Sequence, residues 1–224
     1  MRLVLASNNA KKLAELRALL DGFSLDIVAQ GELGIAEAEE PHHTFIENAL
    51  AKARHAAAAC GGAALADDSG LCVNALGGAP GVISAHFGGE VAPLPGEDRE
   101  ARRRRQDAIN NEALLLRLAD QRDRRAHFIS TLVAVRHADD PEPLVAVGRW
   151  PGEVRTAPKG DSGFGYDPLM FIPELGATVA ELSADVKNSH SHRARSARLL
   201  RAMLAEAWHL GGEVGTPFGT ERGA

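Results

Sequence analysis

Leu3-Val4-Leu5-Ala6-Ser7-Asn8-Asn9-Ala10-Lys11-Lys12-Leu13-Ala14-Glu15-Leu16 sets the reading of the rest of the chain. The apolar residues 3–6 break off at the polar Ser7-Asn8-Asn9. Beyond the break, Leu13, Leu16, Leu19 and Leu20 recur at the spacing of one helical face. The stretch predicts a buried strand, a polar turn and a helix. Leu25-Asp26-Ile27-Val28-Ala29 follows as a second short strand, so strand and helix alternate, as they do in α/β folds.

Thr44-Phe45-Ile46-Glu47 has the form of a capping box, in which the threonine caps a helix and the glutamate reaches back. The helix it opens is expected to turn Phe45, Ile46, Ala49, Leu50, Ala53 and Ala57 inward, and Gly61-Gly62 ends it. A strand over 63–66 leads into Asp67-Asp68-Ser69-Gly70, and residues 77–96, rich in Gly and Pro, read as loop. A polar helix then runs to about residue 120 and contains Arg102-Arg103-Arg104-Arg105. Residues 128–135 and 144–147 read as adjacent strands fit for a hairpin, and 158–168 as a loop with three glycines. Ser191 caps a final helix whose Leu200, Met203, Leu204 and Ala207 share one face. No internal repeat or linker separates independent halves. Residues 1–210 are therefore expected to form a single α/β domain, and the Gly-rich 211–224 a flexible tail.

The 224 residues are 45% hydrophobic and 25% charged, with a net charge of −5, so no bulk positive field favours nucleic acid or an anionic membrane. A partner rich in phosphate would have to be met by locally concentrated basic groups. Cys60 and Cys72 have neither a disulfide framework nor metal-ligand spacing and read as small buried side chains. The N-terminal residues reach Asn8-Asn9 before a signal-type apolar segment develops, and no run approaches the ~20 residues of a membrane span. The expected location is the cytoplasm, with no membrane partner.

Several constellations could carry chemistry. In Ser7-Asn8-Asn9-Ala10-Lys11-Lys12 a helix start offers backbone N–H groups to phosphate, with Lys12 one turn inside. The same residues also suit a plain capped helix with a solvated lysine. Asp67-Asp68-Ser69-Gly70 places two adjacent carboxylates after a buried strand, which repel each other unless a cation compensates them. Successive side chains on extended backbone diverge, so one acid is expected to meet a metal and the other a neighbouring element. Oxygen ligands of this kind suit Mg²⁺, which uses one or two carboxylates plus substrate phosphates. Glu39-Glu40 joins such a site only if the fold brings it beside Asp68. In Ser162-Gly163-Phe164-Gly165-Tyr166-Asp167-Pro168 glycines flank an aromatic, a pattern suited to stacking on a base or to a tight turn. Lys187, His192 and Arg193 supply hydrogen-bond donors around the start of the last helix.

Together these motifs resemble the family of non-standard purine nucleoside triphosphate pyrophosphatases, also called the ITPase/XTPase family. The resemblance rests on Ser7-x-Asn9-x-x-Lys12, Thr44-Phe45-x-Glu47-Asn48-Ala49 with Lys52, and Ala66-Asp67-Asp68-Ser69-Gly70-Leu71. It continues through Leu76-Gly77-Gly78-Ala79-Pro80-Gly81, Phe164-Gly165-Tyr166-Asp167-Pro168 and Ser191-His192-Arg193, spanning residues 1 to about 205. It implies an elongated mixed β-sheet flanked by helices, with two lobes, the active site in the cleft between them, and a homodimer. It implies Mg²⁺-dependent hydrolysis of ITP, dITP or XTP to the monophosphate and pyrophosphate. Asp68 is then the general base, and Asp68 with Glu40 or Glu39 holds the metal. Ser7, Asn8, Asn9, Ala10, Lys11, Lys12 and Lys52 meet the triphosphate. Ser69, Phe164, Gly165, Tyr166, Asp167, Lys187, His192 and Arg193 meet the rest of the nucleotide, mainly the base. The chain departs from the family pattern at Asn8, Lys11 and Ser162, where glycine is frequent, and at His86, where arginine is frequent. Residues 93–106 are longer and more basic than usual.

Two rival readings remain at this level. A dehalogenase-type phosphatase needs Asp-x-Asp after the first strand, whereas this strand ends in Ser-Asn-Asn. A nucleic-acid-binding module could use Arg102 to Arg105, against an overall acidic chain.

Overall fold

The opening stretch folds as its pattern predicts. In this computed structural model, which describes residues 1–210, β1 (Arg2–Leu5) is followed by α1 (Ala10–Leu19) and β2 (Asp26–Ala29). The tail expected over 211–224 lies outside the described residues. Further elements are α2 (Phe45–Cys60), β3 (Ala64–Val73), α3 (Arg99–Arg117), β4 (Arg125–Val135), β5 (Leu144–Val154), β6 (Met170–Ile172), β7 (Ala177–Thr178), α4 (Ala184–His190) and α5 (His192–Ala207). Among the described residues, no helix is long and apolar enough to cross a membrane.

The sheet is mixed, with seven strands in the order β2-β1-β3-β4-β5-β6-β7. β1 runs parallel to both β2 and β3, and every later pairing is antiparallel. β3 meets β1 only at Ala64 and Leu65 but pairs with β4 along its whole length. It thus runs out of the parallel part of the sheet into the antiparallel part. The parallel part is covered on both faces. Leu3, Leu5, Leu65, Leu16 and Leu200 pack on one side, while Val4, Ala64 and Ala66 pack on the small residues Ala49, Ala53 and Ala57 of α2 on the other. A third cluster fills the antiparallel part, where Leu71, Val73 and Trp150 meet Leu114 of α3 and Leu118 just past its end. The expected mixed sheet flanked by helices is present.

Several local readings change. Asp67-Asp68-Ser69-Gly70 does not follow a strand; it lies in the middle of β3 and pairs with residues 129–132 of β4. A continuous partner strand overrides the turn-like composition, because cross-strand packing decides strand formation more than local preference does. Gly70 is needed there for another reason. A Cβ on it would lie 2.4 Å from Ser84 Oγ and 2.6 Å from the Gly81 carbonyl. Those atoms belong to a 3-10 helix, Gly81–His86, inside the segment read as loop. Ile46, expected to face inward, is 47% exposed. It sits in the first turn of α2, just beyond the stretch that packs on the sheet. The Thr44 hydroxyl accepts from Glu47 N as expected, but it donates to Glu47 Oε2 at 2.6 Å, so the glutamate engages the side chain of the cap. Cys60 and Cys72 are free and half-buried where full burial was expected. α4, β6 and β7 are too short to leave a periodic signal.

Candidate active site

A cavity of about 750 Å³ opens where β3 leaves the parallel part of the sheet. Its floor comes from Asp67, Ser69 and Gly70 of β3, and its sides from the β1–α1 turn, the start of α3, the Phe164 loop and the start of α5. Alternation along β3 sends its two acids to opposite sides. Asp67 faces α1 and α5. Its Oδ2 accepts from Lys12 Nζ (2.9 Å) and Arg193 Nη2 (2.9 Å), and its Oδ1 from Ser130 Oγ (2.8 Å). Asp68 faces α2, where its Oδ1 accepts from Lys52 Nζ at 3.0 Å. The expected divergence of the pair is therefore present.

These surroundings give the two carboxyls opposite properties. Burial opposes the charge on Asp67, but Arg193 and Lys12 outweigh it and hold its pKa well below the usual range. Burial pushes Asp68 up to about 6 against the pull of Lys52, and neighbouring Glu40 pushes the same way. Lys52 Nζ is shared, lying 3.0 Å from Glu40 Oε2 as well. Burial disfavours its charge, yet Asp68 and Glu40 raise its pKa. One ammonium thus serves two carboxylates, leaving excess negative charge. Asp68 Oδ2 is buried with no hydrogen-bond partner among the described residues. An unsatisfied carboxylate oxygen in a site short of positive charge fits a divalent cation. Glu40 lines the cavity, whereas Glu39 is exposed and outside its wall. No group of three or more His, Cys, Asp or Glu among the described residues could hold a metal unaided. Two carboxylates fit Mg²⁺, which takes further oxygens from substrate phosphate.

The β1–α1 turn brings Ser7, Asn8, Asn9, Ala10, Lys11 and Lys12 to one wall. Asn9 Oδ1 caps α1 by accepting from Lys11 N (3.1 Å) and Lys12 N (3.3 Å), so two of the helix-start N–H groups are already engaged. Lys12 Nζ and Lys52 Nζ lie 3.4 and 3.3 Å from the same Asp67 carbonyl oxygen. Burial lowers the pKa of Lys12 against the attraction of Asp67.

Both aromatics of the 162–168 loop reach the cavity wall, Tyr166 from within the core. Phe164 is half-buried and lines the cavity. Tyr166 packs in the core of the antiparallel part, and its hydroxyl donates to the Ser84 carbonyl at 2.8 Å. Asp167 Oδ2 accepts from Phe164 N (3.0 Å) and Lys187 Nζ (2.9 Å), fixing the loop to α4. Burial raises the Asp167 pKa despite Lys187. Gly163, with φ +82, is required here because a Cβ would come 2.1 Å from Asp167 Oδ2. Gly165 N donates to Asp107 Oδ2 at 2.8 Å, a contact from α3 that carried no sequence motif.

At the start of α5, His192 stacks on Phe128 with centroids 5.0 Å apart. Burial, helped by Arg193, depresses its pKa far below the usual value, so the ring is neutral, and its buried Nδ1 has no partner among the described residues. Arg193 is 1% exposed, with its donors committed to Asp67 Oδ2, Ser69 Oγ and Glu15 Oε2. Sequence reasoning gave Arg193 to the substrate and missed Glu15. In the structure, Arg193 spends its hydrogen bonds on the protein. Glu15 also lies 3.4 Å from Lys187, and its only signal was its place one turn after Lys12. His86, where arginine is frequent in the resembling family, is exposed at the cavity edge.

A family model described as the Ham1 family matches residues 3–203. The chain belongs to the Ham1 family. A relative from Methylibium petroleiphilum, named dITP/XTP pyrophosphatase, is 65% identical over 93% of this chain and 99% of its own length. One from Leptothrix cholodnii with the same name is 65% identical over 94% of this chain and 100% of its own. Among solved structures, the HAM1 protein from Coxiella burnetii superposes with a TM-score of 0.82 at 40% identity, covering 92% of this chain and 99% of that one. The Ham1 match includes every site residue named from the sequence and also the basic segment 93–106.

Proposed function

We propose that this Ham1-family protein is a nucleoside triphosphate pyrophosphatase. It cleaves non-standard purine nucleotides such as ITP, dITP and XTP to the monophosphate and pyrophosphate, with Mg²⁺ as cofactor. Relatives named dITP/XTP pyrophosphatase at 65% identity support the reaction class. The observation that carries the chemistry is Asp68, a buried carboxylate with one free oxygen, beside two lysines that converge on one carbonyl.

In this reading Asp68 and Glu40 would hold the ion, which when bound would supply positive charge to the triphosphate. Asp68 takes the proton of the attacking water at its carboxylate. Water attacks the α-phosphorus and pyrophosphate leaves. Lys12 and Lys52, with the turn from Ser7 to Lys11, bind the triphosphate and stabilise the leaving group. Asp67 orients Lys12 and stays ionised. Phe164 stacks on the base, which is held within the wall formed by Gly165, Tyr166 and Asp167. Lys187 and the free Nδ1 of neutral His192 can donate to a 6-keto oxygen, which adenine replaces with an amino group. Arg193 acts on the nucleotide through Ser69 and Asp67. We place the protein in the cytoplasm as a homodimer.

A pyrophosphate-release assay against ITP, dITP, XTP, ATP and GTP, with Mg²⁺ or chelator, tests this reading. Release from the first three, lost with chelator, is expected. Equal release from ATP, or full activity in chelator, would contradict it.

A further inference from the structure

The run Arg102-Arg103-Arg104-Arg105 does not form one basic face. Arg102 donates to the Val91 carbonyl (3.1 and 2.9 Å), and Arg105 binds Glu97 (2.8 Å) and the Ala92 carbonyl (2.7 Å). These two fold residues 91–97 back against α3, while Arg104 is exposed. The first turn of α3 is tied across the cavity mouth, Glu100 to Lys11 at 2.9 Å and Arg99 to Glu37 at 3.1 Å. Glu37 also accepts from Asn8 Nδ2 at 2.8 Å. One turn further on, Arg103 is held over the Phe164 ring, its Cζ 5.3 Å from the centroid.

Arg103 differs from the other cations around the site. Lys11, Lys12, Lys52, Lys187, Arg99 and Arg193 each have a carboxylate partner. Arg103 lines the cavity and has no hydrogen bond or ion pair among the described residues. Lys187 and Lys11 also approach the Phe164 ring, at 4.4 and 5.9 Å, but both are committed elsewhere.

We propose that Arg103 is a substrate-binding residue whose guanidinium closes on the purine, holding the base between its own plane and the Phe164 ring. The proposal rests on the nucleotide reading above. A guanidinium is planar, weakly hydrated and stacks on aromatic faces, whereas an ammonium has no plane to offer. A base entering over Phe164 exchanges one stacking contact for two, and Arg103 breaks no ion pair in making room. The contact comes from the long basic segment, which ties itself to α3 and the cavity mouth.

Arg103→Ala and Arg103→Lys are compared with the parent for kcat and KM on ITP and ATP, for calorimetric binding of IMP, and for inhibition by pyrophosphate. Stacking predicts that Arg103→Ala raises KM for both substrates about tenfold and weakens IMP by the same factor, with kcat within about twofold. It further predicts unchanged pyrophosphate inhibition and no rescue by Arg103→Lys. Restoration by lysine, or weakened pyrophosphate inhibition, would overturn the proposal in favour of a phosphate contact. An active parent with unaltered KM and IMP affinity in Arg103→Ala would overturn it outright while leaving the proposed function intact. A parent that neither binds IMP nor hydrolyses ITP would remove the nucleotide reading itself.

Discussion

Asp67 and Asp68 are neighbours in sequence, yet their surroundings separate them into a permanently charged support and a titrating group. The folded protein holds the Asp68 proton up to about pH 6, whereas an ordinary aspartate releases it near 3.8. Between those values the folded state binds more protons than the unfolded state, so Asp68 costs stability as pH rises through this window. Asp68→Asn removes that cost. In chelator, its melting temperature relative to the parent should climb between pH 4 and about 6.5 and then level off. A difference that stays flat with pH would contradict the assignment. The same variant should lose about 10²–10⁴-fold in turnover with Mg²⁺ present. Arg193 carries the opposite kind of prediction. Truncating a buried, paired guanidinium leaves Asp67 and Glu15 undercompensated, at about 3–5 kcal/mol. Arg193→Ala should melt well below the parent and lower kcat/KM for ITP and ATP by similar factors. Selective loss of ITP would return Arg193 to the base.

Elements with a strong periodic or capping signature could be read from the sequence. α1 was legible because Asn9 and the leucine spacing agree, and α5 because Ser191 precedes a regular apolar face. Asn9→Ala should cost about 1 kcal/mol through loss of the cap and should also raise KM, since the turn carrying Lys11 and Lys12 loses its anchor. Unchanged melting in urea would show that the turn is held by other contacts. β3 could not be bounded from its own residues, because Asp67-Asp68-Ser69-Gly70 is turn-like in composition and is held extended by β4. The 3-10 helix at Gly81–His86 is fixed by distant Asn110, whose Nδ2 donates to the carbonyls of Ser84 and Ala85. Neither pairing leaves a local trace.

At the scale of the whole molecule, an acidic chain gathers lysines and arginines around one cavity and pairs nearly all of them with carboxylates. The sequence supplied the members of that network, Lys12, Lys52, Asp68, Phe164 and Lys187, because each sits in a recognisable motif. It did not supply their pairing. Arg193 could be read as facing the base, but its pairing with Glu15, 178 positions earlier, left no trace in the sequence. Glu40 could be preferred to Glu39 on geometry only once Lys52 was seen between Glu40 and Asp68. The central claim is that water attacks the α-phosphorus while the two outer phosphates leave together. Hydrolysis of ITP in ¹⁸O-labelled water, followed by mass spectrometry of the products, addresses it directly. One ¹⁸O in the monophosphate and none in pyrophosphate is the predicted result. Label in pyrophosphate or in released orthophosphate would place the attack elsewhere on the triphosphate and contradict the mechanism.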